Sequence, residues 1–501
     1  MSGLFRHIRT LVLIATVIIR GLCTQVTSVA QETAMSLEDA IQAARRQSVA
    51  ALQARSAFIS SYWSWRSYQA SMLPSLNLYG EVGSFNRSLT RFQDFNNGEY
   101  LYTSTNNMTN SLGLALSQNI GLTGGTIRLY SDLSRIDQFG NNSRQTWYTQ
   151  PVTLYYSQPF LSYNRFKWNK LISPKEYEKA KRVYLESMEA ITSETVKDYF
   201  NLLLAKRNHE TALVNYENTS RMCEIARHRL ALGSVTKDEY LQLELRMLND
   251  SITINENEIA VREAQMVLNS QLGFNETVDI VPLMSERLPD ITINYETVLS
   301  KAYDNSSFSL DNEIRILEAE SAIAKAKADR GASVSLSARF GLSQSGAKFH
   351  DAYRDLMDQE VVGLTFSIPI FDWGTGRGKV KSAEAKEAVV RAQVEQAEND
   401  YRKSVFTAVS QFNKQRAQCL VSQKAERIAS ERYALTMEKF RSGSATVTEL
   451  NTAQTENDQA TARYINDLSN FWNYYYALRK LALYDFLEGK DLDVDYKEMI
   501  D

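Results

Sequence analysis

The side chains that could carry out chemistry are few in this sequence and lie far apart. The chain has 501 residues, of which four are histidine and three are cysteine. His209, His228 and His350 have no second residue at metal-ligand spacing, and Cys223 and Cys419 form neither a CxxC pair nor a disulfide framework. We therefore predict no catalytic residue, no metal site and no cofactor.

A glycine-rich segment at residues 374–378 could be mistaken for a phosphate-binding loop. It reads GTGRG, which has neither the GxGxxG spacing nor the Lys-Ser/Thr pair of a nucleotide-binding loop. We interpret it as a joint between a strand and a helix. The formal net charge is −3, with 56 basic and 59 acidic residues, so we expect no nucleic-acid partner.

Two threonine–glutamate pairs have the spacing of a helix-capping box, and each follows a glycine by three residues. The glycines are Gly233 and Gly443, and the pairs are Thr236–Glu239 and Thr446–Glu449. Proline is absent from 175–281 and 370–501, which are rich in good helix formers. The pattern predicts two helical hairpins, at about 174–232 with 236–272 and about 378–442 with 446–487.

A second pattern, of period two, predicts strands with one apolar and one small or polar face. It appears at 334–343 and 362–370 and in four runs of the first half, near 76–85, 112–120, 127–133 and 152–160. About ten residues of this kind suit a transmembrane β-strand. A water-soluble β-sandwich is the alternative, which long helices on both sides make less favourable.

The two halves of the chain repeat one another. Pro159 and Pro369 are displaced by 210 positions, and so are Gly233 and Gly443. Upstream, Ser75 and Ser333 are displaced by 258, so the first half carries 48 extra residues between its first and last strands. We interpret these as an inserted or duplicated hairpin at about 108–147. Helices of equal length would bring both loops to the same level, as a ring built from repeats requires.

The first thirty residues have the pattern of a secretory signal peptide. Arg6 and Arg9 precede an apolar run at 11–19, and residues 28–30 are small enough for cleavage before Gln31. That run is about half the ~20 residues that cross a bilayer, which disfavours a membrane anchor. Lipidation at Cys23 is a further alternative.

Taken together, the chain resembles the TolC-like outer-membrane efflux family from Met35 to about Phe486. Each matching motif is weak alone, but their order, repeated twice at constant spacing, is specific. The motifs are SLEDAI at 36–41, LPSLNL at 73–78, IPIFDWG at 368–374 and the two loops around Gly233 and Gly443.

The resemblance implies an α+β membrane protein, a homotrimeric transmembrane β-barrel continued by a long antiparallel, coiled-coil-like α-helical tunnel. The chain would have an internal two-fold sequence repeat. The barrel would lie in the lipid of the bacterial outer membrane, and the helical part would lie in the periplasm. The implied function is a passive exit duct for small molecules or polypeptides in a tripartite efflux or type I secretion system. An inner-membrane pump would drive it through a periplasmic adaptor (membrane fusion) protein.

In that family the helix-tip loops contact the adaptor. The matching positions are Gly233, Ser234, Val235, Thr236, Gly443, Ser444, Ala445 and Thr446. Simple helix capping by the glycines is compatible with this role. Family members also carry acidic rings near the closed end, for which Glu449, Glu239 and Asp238 are the candidates; the alternative is that these acids only stabilise helix N-termini. The tyrosine and arginine of the family's gating latch correspond here to Phe440 and Ala445, which predicts a different closing contact.

The predicted organisation is a signal peptide at 1–30, a first repeat at 31–290, a second at 291–487 and an acidic tail at 488–501. The first repeat holds the inserted hairpin 108–147 and the helical hairpin 174–272; the second holds strands at 333–370 and the helical hairpin 378–487. If the insertion joins the barrel, a trimer has eighteen strands instead of the family's twelve. The rival classes are an exported structural coiled coil and an exported enzyme, and the sequence leaves the cargo open.

Overall fold

The structure, a computed structural model, describes residues 32–93, 100–140, 143–276, 278–284 and 288–500. The predicted signal peptide and Cys23 lie outside them. The described chain forms two compact units, each built from segments of both halves of the sequence. Unit 1 contains the chain up to Ala54, Glu186–Val298 and Val405–Leu492, and unit 2 contains Arg55–Leu185, Leu299–Ser404 and the chain from Asp493 onward.

Helices and strands alternate along the chain in two similar successions. In order they are β1 (Glu32–Met35), α1 (Leu37–Gln47), α2 (Val49–Ser71), β2 (Ser75–Gln93), β3 (Tyr100–Asn119), β4 (Thr126–Gln138), β5 (Arg144–Phe160), α3 (Arg165–Ala231), α4 (Lys237–Leu272), β6 (Asp279–Pro282), α5 (Tyr295–Asn305), α6 (Ser307–Arg330), β7 (Ser333–Gly346), a 3-10 turn (Asp351–Tyr353), β8 (Met357–Ser367), α7 (Thr375–Ser442), α8 (Val447–Ala482), β9 (Tyr484–Asp485) and β10 (Lys490–Asp491).

Unit 2 contains a six-stranded sheet in the order β2-β3-β4-β5-β7-β8, in which all neighbouring strands are antiparallel. The predicted insertion at 108–147 falls on β3, β4 and the start of β5, so it belongs to this sheet. The Asn164 side chain fixes its turn by donating to the backbone oxygens of Gly121 and Leu122, at 3.2 and 3.1 Å. The strands are longer than the predicted runs of about ten residues, and β8 ends at Ser367, before Pro369.

The pairing register gives the sheet one apolar and one polar face. Cross-strand partners on one face form the apolar row Leu76, Leu116, Leu129, Leu154, Phe340, which is followed by Glu360 on the edge strand β8. Partners in the adjacent row, on the other face, are Asn77, Ala115, Tyr130, Thr153, Gly341 and Gln359. The apolar row is between 40 and 69% exposed, whereas Ala115 and Thr153 of the polar row are 6 and 0% exposed. This is the reverse of a water-soluble sheet, which buries its apolar face.

The long helices come in two pairs of matched length. Helices α3 and α7 have 67 and 68 residues, and α4 and α8 have 36 each. The predicted start of α3 near 174 was wrong, because Pro174 lies inside the helix. The helix begins nine residues earlier, where the backbone N–H groups of Phe166 and Lys167 donate to Asn164 Oδ1. Helix α8 ends at Ala482 instead of 487, where Leu483 takes a φ of +45°.

Short segments complete each unit. In unit 1, β1 pairs with β6 in parallel, and the Tyr199 hydroxyl lies 2.9 and 2.8 Å from the carbonyl oxygens of Met35 and Leu283. In unit 2, Tyr496 of the predicted acidic tail packs on Phe58, with ring centroids 5.1 Å apart. No α-helix among the described residues combines the length and the hydropathy needed to cross a membrane.

Candidate functional site

The two loops that join the long helices have the same backbone geometry. At the end of α3, the N–H of Ser234 donates to Arg229 O and that of Gly233 to Leu230 O, at 2.9 and 3.1 Å. At the end of α7, the corresponding distances, Ser444 to Lys439 and Gly443 to Phe440, are 2.8 and 3.0 Å. The glycines have φ values of +74° and +84°. Both loops are therefore Schellman motifs, in which a left-handed glycine ends the helix.

Each following helix begins with the predicted capping box. The Thr236 N–H donates to Glu239 Oε2 at 2.9 Å, and the Glu239 N–H donates back to Thr236 Oγ1 at 3.2 Å. The same two distances in the second loop, between Thr446 and Glu449, are 2.7 and 3.2 Å. The hydrogen bond from the threonine N–H is the main cause that lowers the pKa of both glutamates. Both carboxylates are therefore ionised at neutral pH, as a helix N-terminus favours.

The loops present mostly exposed side chains. Asp238 accepts a hydrogen bond from Gln242 at 2.8 Å and faces solvent. Val235 and Ala445 are half-buried, while the other six loop positions, 233, 234, 236, 443, 444 and 446, are exposed. Leu232, which sequence reasoning passed over, is 79% exposed beside the first loop.

An apolar cluster beneath the loops joins the two helix pairs. Its buried members are Met222, Ala226, Leu243, Met437, Phe440, Val447 and Leu450, one or two from each of α3, α4, α7 and α8. Phe440 is 5% exposed, and Ala445 packs against the cluster. The two positions that match the family's latch therefore make apolar contacts within this chain.

A polar contact between the two loops was missed by sequence reasoning. The Arg229 side chain donates from Nη2 to the Arg441 backbone oxygen at 2.9 Å and from Nη1 to Phe440 O at 3.5 Å. Arginine thus caps the Arg441 carbonyl at the end of α7 and adds a second, longer bond to the Phe440 carbonyl, which also accepts from the Gly443 N–H. A basic residue in the last turn of α3 was the available signal, but it did not reveal that the acceptors belong to another helix.

Buried acids lie farther along the same helices. Asp250 of α4 is 7% exposed and accepts bonds from Thr219 Oγ1 at 2.7 Å and from Arg246 Nε at 3.1 Å. Asp458 of α8 accepts one from Asn215 of α3 at 2.9 Å, and burial raises its pKa. Both oxygens of Asp250 accept a bond, whereas Oδ1 of Asp458 is buried without one. Across the described residues, no three His, Cys, Asp or Glu side chains come together as a metal site.

Comparison with known proteins gives one family. Residues 299–482 match the family model described as outer membrane efflux protein. A segment of 117 residues, 23% of this chain, is 28% identical to "Toxin and drug export protein A" of Aggregatibacter actinomycetemcomitans. That match spans about a quarter of the relative's length, 26%.

Solved structures share the fold at low sequence identity. The CmeC outer membrane channel of Campylobacter jejuni has a TM-score of 0.66 at 16% identity, over 93% of this chain and 88% of that one. A membrane protein from Pseudomonas aeruginosa has a TM-score of 0.65 at 17% identity, over 91% and 92%. VceC of Vibrio cholerae has a TM-score of 0.63 at 15% identity, over 91% and 97%.

These matches agree with the succession of strands and long helices described above. Proteins of the matched family are outer-membrane channels and not enzymes. The match at 299–482 covers most of α5 and all of α6, β7, β8, α7 and α8, the second of the two similar successions. Residues 299–482 of this chain are accordingly similar to the outer membrane efflux protein family.

Proposed function

We propose that the protein is the outer-membrane exit duct of a tripartite efflux or type I secretion system. It would act as a passive conduit for small molecules or polypeptides, with the energy supplied by an inner-membrane pump. The observation that carries the proposal is the sheet with an exposed apolar face and a polar opposite face. Such a sheet suits a wall between lipid and water.

The sheet also has the right strand count for closure into a ring. Its outermost strands, β2 and β8, run in opposite directions because five antiparallel steps separate them. The β8 edge of one copy can therefore pair in antiparallel fashion with the β2 edge of the next. Lipid offers no partner for open backbone groups, so a membrane sheet must close. Three copies would supply eighteen strands, a size that leaves an aqueous channel.

The matched helix pairs support the tunnel part of the proposal. Each chain has two hairpins, and the arms of one match those of the other in length, as an internal two-fold repeat would give. A trimer would therefore have twelve arms. Within unit 1, the apolar cluster packs the four helices of one chain together below their loops. A periplasmic adaptor would contact the exposed loops around Gly233 and Gly443, next to Leu232. Glu449, Glu239 and Asp238 would form the acidic aperture.

Reconstitution tests the proposal directly. The purified protein should resist dissociation as a trimer on an unheated gel, migrate as a monomer after boiling, and give discrete conductance steps in a planar lipid bilayer. Cells lacking it should regain export when it is supplied together with its pump and adaptor. A water-soluble monomer that gives no conductance would contradict the proposal.

A further inference from the structure

Two arginines flank one tyrosine on the polar face of the sheet. Arg128 of β4 is the cross-strand partner of Tyr155 in β5, and Tyr155 is in turn the partner of Arg339 in β7. The Arg339 guanidinium lies 5.9 Å from the centroid of the Tyr155 ring. Because neighbouring strands are about 4.8 Å apart, the two arginines start about 10 Å from each other. Their side chains are long enough to reach a shared ligand above Tyr155.

The positions around this row are neutral, and most are small. On the same face, the cross-strand and same-strand neighbours are Ser117, Tyr130, Thr153, Ser157, Ser337, Gly341 and Val361. Asp132 lies two rows away on β4 and accepts a hydrogen bond from the Tyr79 hydroxyl. Serine, threonine and glycine contribute no negative charge. The row is therefore electropositive.

Neither arginine forms an ion pair with any described residue, and the Nε–H of Arg339 is buried without an acceptor. A buried guanidinium donor that stays unsatisfied is costly, so it is normally found with a carboxylate or a water. Arg135 of the same strand shows the ordinary arrangement, since its Nη2 lies 3.0 Å from Asp137 Oδ1. A merely structural role would predict such an acid beside Arg128 or Arg339.

We propose that Arg128, Tyr155 and Arg339 form a binding site for oxyanions on the polar face of the sheet. The ligands would be phosphate, sulfonate or carboxylate groups of the transported molecule, because a guanidinium fork matches two oxygens of such a group. This inference rests on the proposed function, in which the polar face lines the channel. Three copies would then carry six arginines around one level of the lumen. The duct itself would favour anionic cargo at this level.

Block of the reconstituted channel by tripolyphosphate tests the site. Added to either side of a planar bilayer, tripolyphosphate should reduce the current of the unaltered protein in a saturable manner. The double variant Arg128→Gln/Arg339→Gln should lose this block by tenfold or more in half-blocking concentration, on the order of 1.4 kcal/mol per tenfold change. A control, Arg135→Gln, removes a positive charge from the opposite face of β4, where Arg135 already has an acid partner, and should keep the block.

Charge-conserving replacement separates the site from a fold defect. Arg128→Lys/Arg339→Lys should retain most of the block, because both positive charges remain. The forked geometry is lost in this variant. Absence of block in the unaltered channel, or equal block in the glutamine variant, would overturn the site while leaving the duct intact. Absence of any channel in the unaltered protein would instead contradict the proposed function.

Discussion

The first and second halves of the chain share their helices and loops but differ in strands and side-chain contacts. Helices of 67 and 36 residues in the first half correspond to helices of 68 and 36 in the second, and both loops have the same Schellman motif and capping box. Yet four strands of the sheet come from the first half and two from the second. The two halves thus repeat the backbone geometry of the helices and loops. Their strand numbers and side-chain contacts differ, and these differences indicate a separate role for each half.

The largest expected effect comes from giving both halves of the chain two strands each in the sheet. Deleting residues 100–138 removes β3 and β4 as the structure bounds them, instead of the predicted 108–147. Strands β2 and β5 can then pair, because removal of two strands keeps their directions opposite. A ring of twelve strands would have about two-thirds of the original diameter, since diameter grows roughly linearly with strand number. Single-channel conductance and the largest polyethylene glycol that enters should both decrease.

One outcome of the deletion experiment would contradict the prediction that β3 and β4 belong to the channel wall. If the deletion variant assembles and neither conductance nor polymer size limit changes, β3 and β4 lie outside the channel wall. Asn164→Ala provides a milder control, because it frees the turn of the β3–β4 hairpin and removes the cap of α3 without removing a strand. That variant should assemble and keep the original conductance.

Replacing the two loop glycines in turn should show that the two loops differ in their importance for export. Gly443→Trp and Gly233→Trp each force a bulky residue into a left-handed conformation, at about 1–2 kcal/mol. A Cβ atom at 443 would also lie 3.6 Å from Arg229 Nη1, whereas at 233 it meets nothing within 4 Å. Gly443→Trp should therefore abolish export while trimers still form, and Gly233→Trp should reduce export less. Export and unheated gel migration are the measurements; loss of trimers would make the role of Gly443 structural.

The hydrogen bonds that Arg229 donates to the carbonyls of Phe440 and Arg441 should have no equivalent from the matching residue of the second half. Arg229→Ala removes the bonds to the carbonyls of Phe440 and Arg441, which are worth about 1 kcal/mol because the loop is partly exposed. Lys439 occupies the corresponding position in the second half, and Lys439→Ala should have almost no effect. Channel open probability should increase for Arg229→Ala alone. Equal behaviour of the two variants would mean that the link does not hold the loops together.

The sequence predicted the parts of this comparison that depend on neighbours along the chain. Thr236, Glu239, Thr446 and Glu449 were predicted to cap helices, and the structure confirms it, because a capping box involves only four consecutive residues. The start of α3 was wrong because Pro174 was taken as a boundary, whereas it lies inside the helix.

Contacts between distant segments could not be predicted from local pattern. The acceptors of Arg229 lie 211 and 212 positions away, and nothing near Arg229 indicates them. The pairing of Arg128 and Arg339 with Tyr155 depends on register, in which a shift of one residue would move a side chain to the opposite face. The apolar partners of Phe440 likewise come from four different helices.

Asp458 should make stability depend on pH at a position where the first half has no acid. Burial raises its pKa, so the folded state favours the protonated carboxyl, and the stability it contributes at low pH is lost as pH rises through the raised value. The corresponding position in the first half is Leu248, which has no charge. Asp458→Asn should therefore raise the melting temperature slightly at pH 7 and have little effect near pH 3. Thermal unfolding at both pH values is the measurement; a variant less stable at pH 7 would show that the ionised group is needed.

The smallest structural change should come from the capping acids, which makes them suitable probes of selectivity. Glu449→Lys reverses one charge at an exposed helix N-terminus, and a lysine cannot accept the Thr446 N–H. If three copies of Glu449 surround the aperture, cation preference should weaken, as seen in the reversal potential across a potassium chloride gradient. Glu239→Lys makes the same local change in the first loop, so the difference between the variants reports which acid is nearer the ions. Glu449→Gln keeps a side-chain acceptor for the Thr446 N–H and isolates the charge from the cap. Unchanged ion selectivity in Glu449→Lys would remove Glu449 from the pore and leave it only the capping role that both halves share.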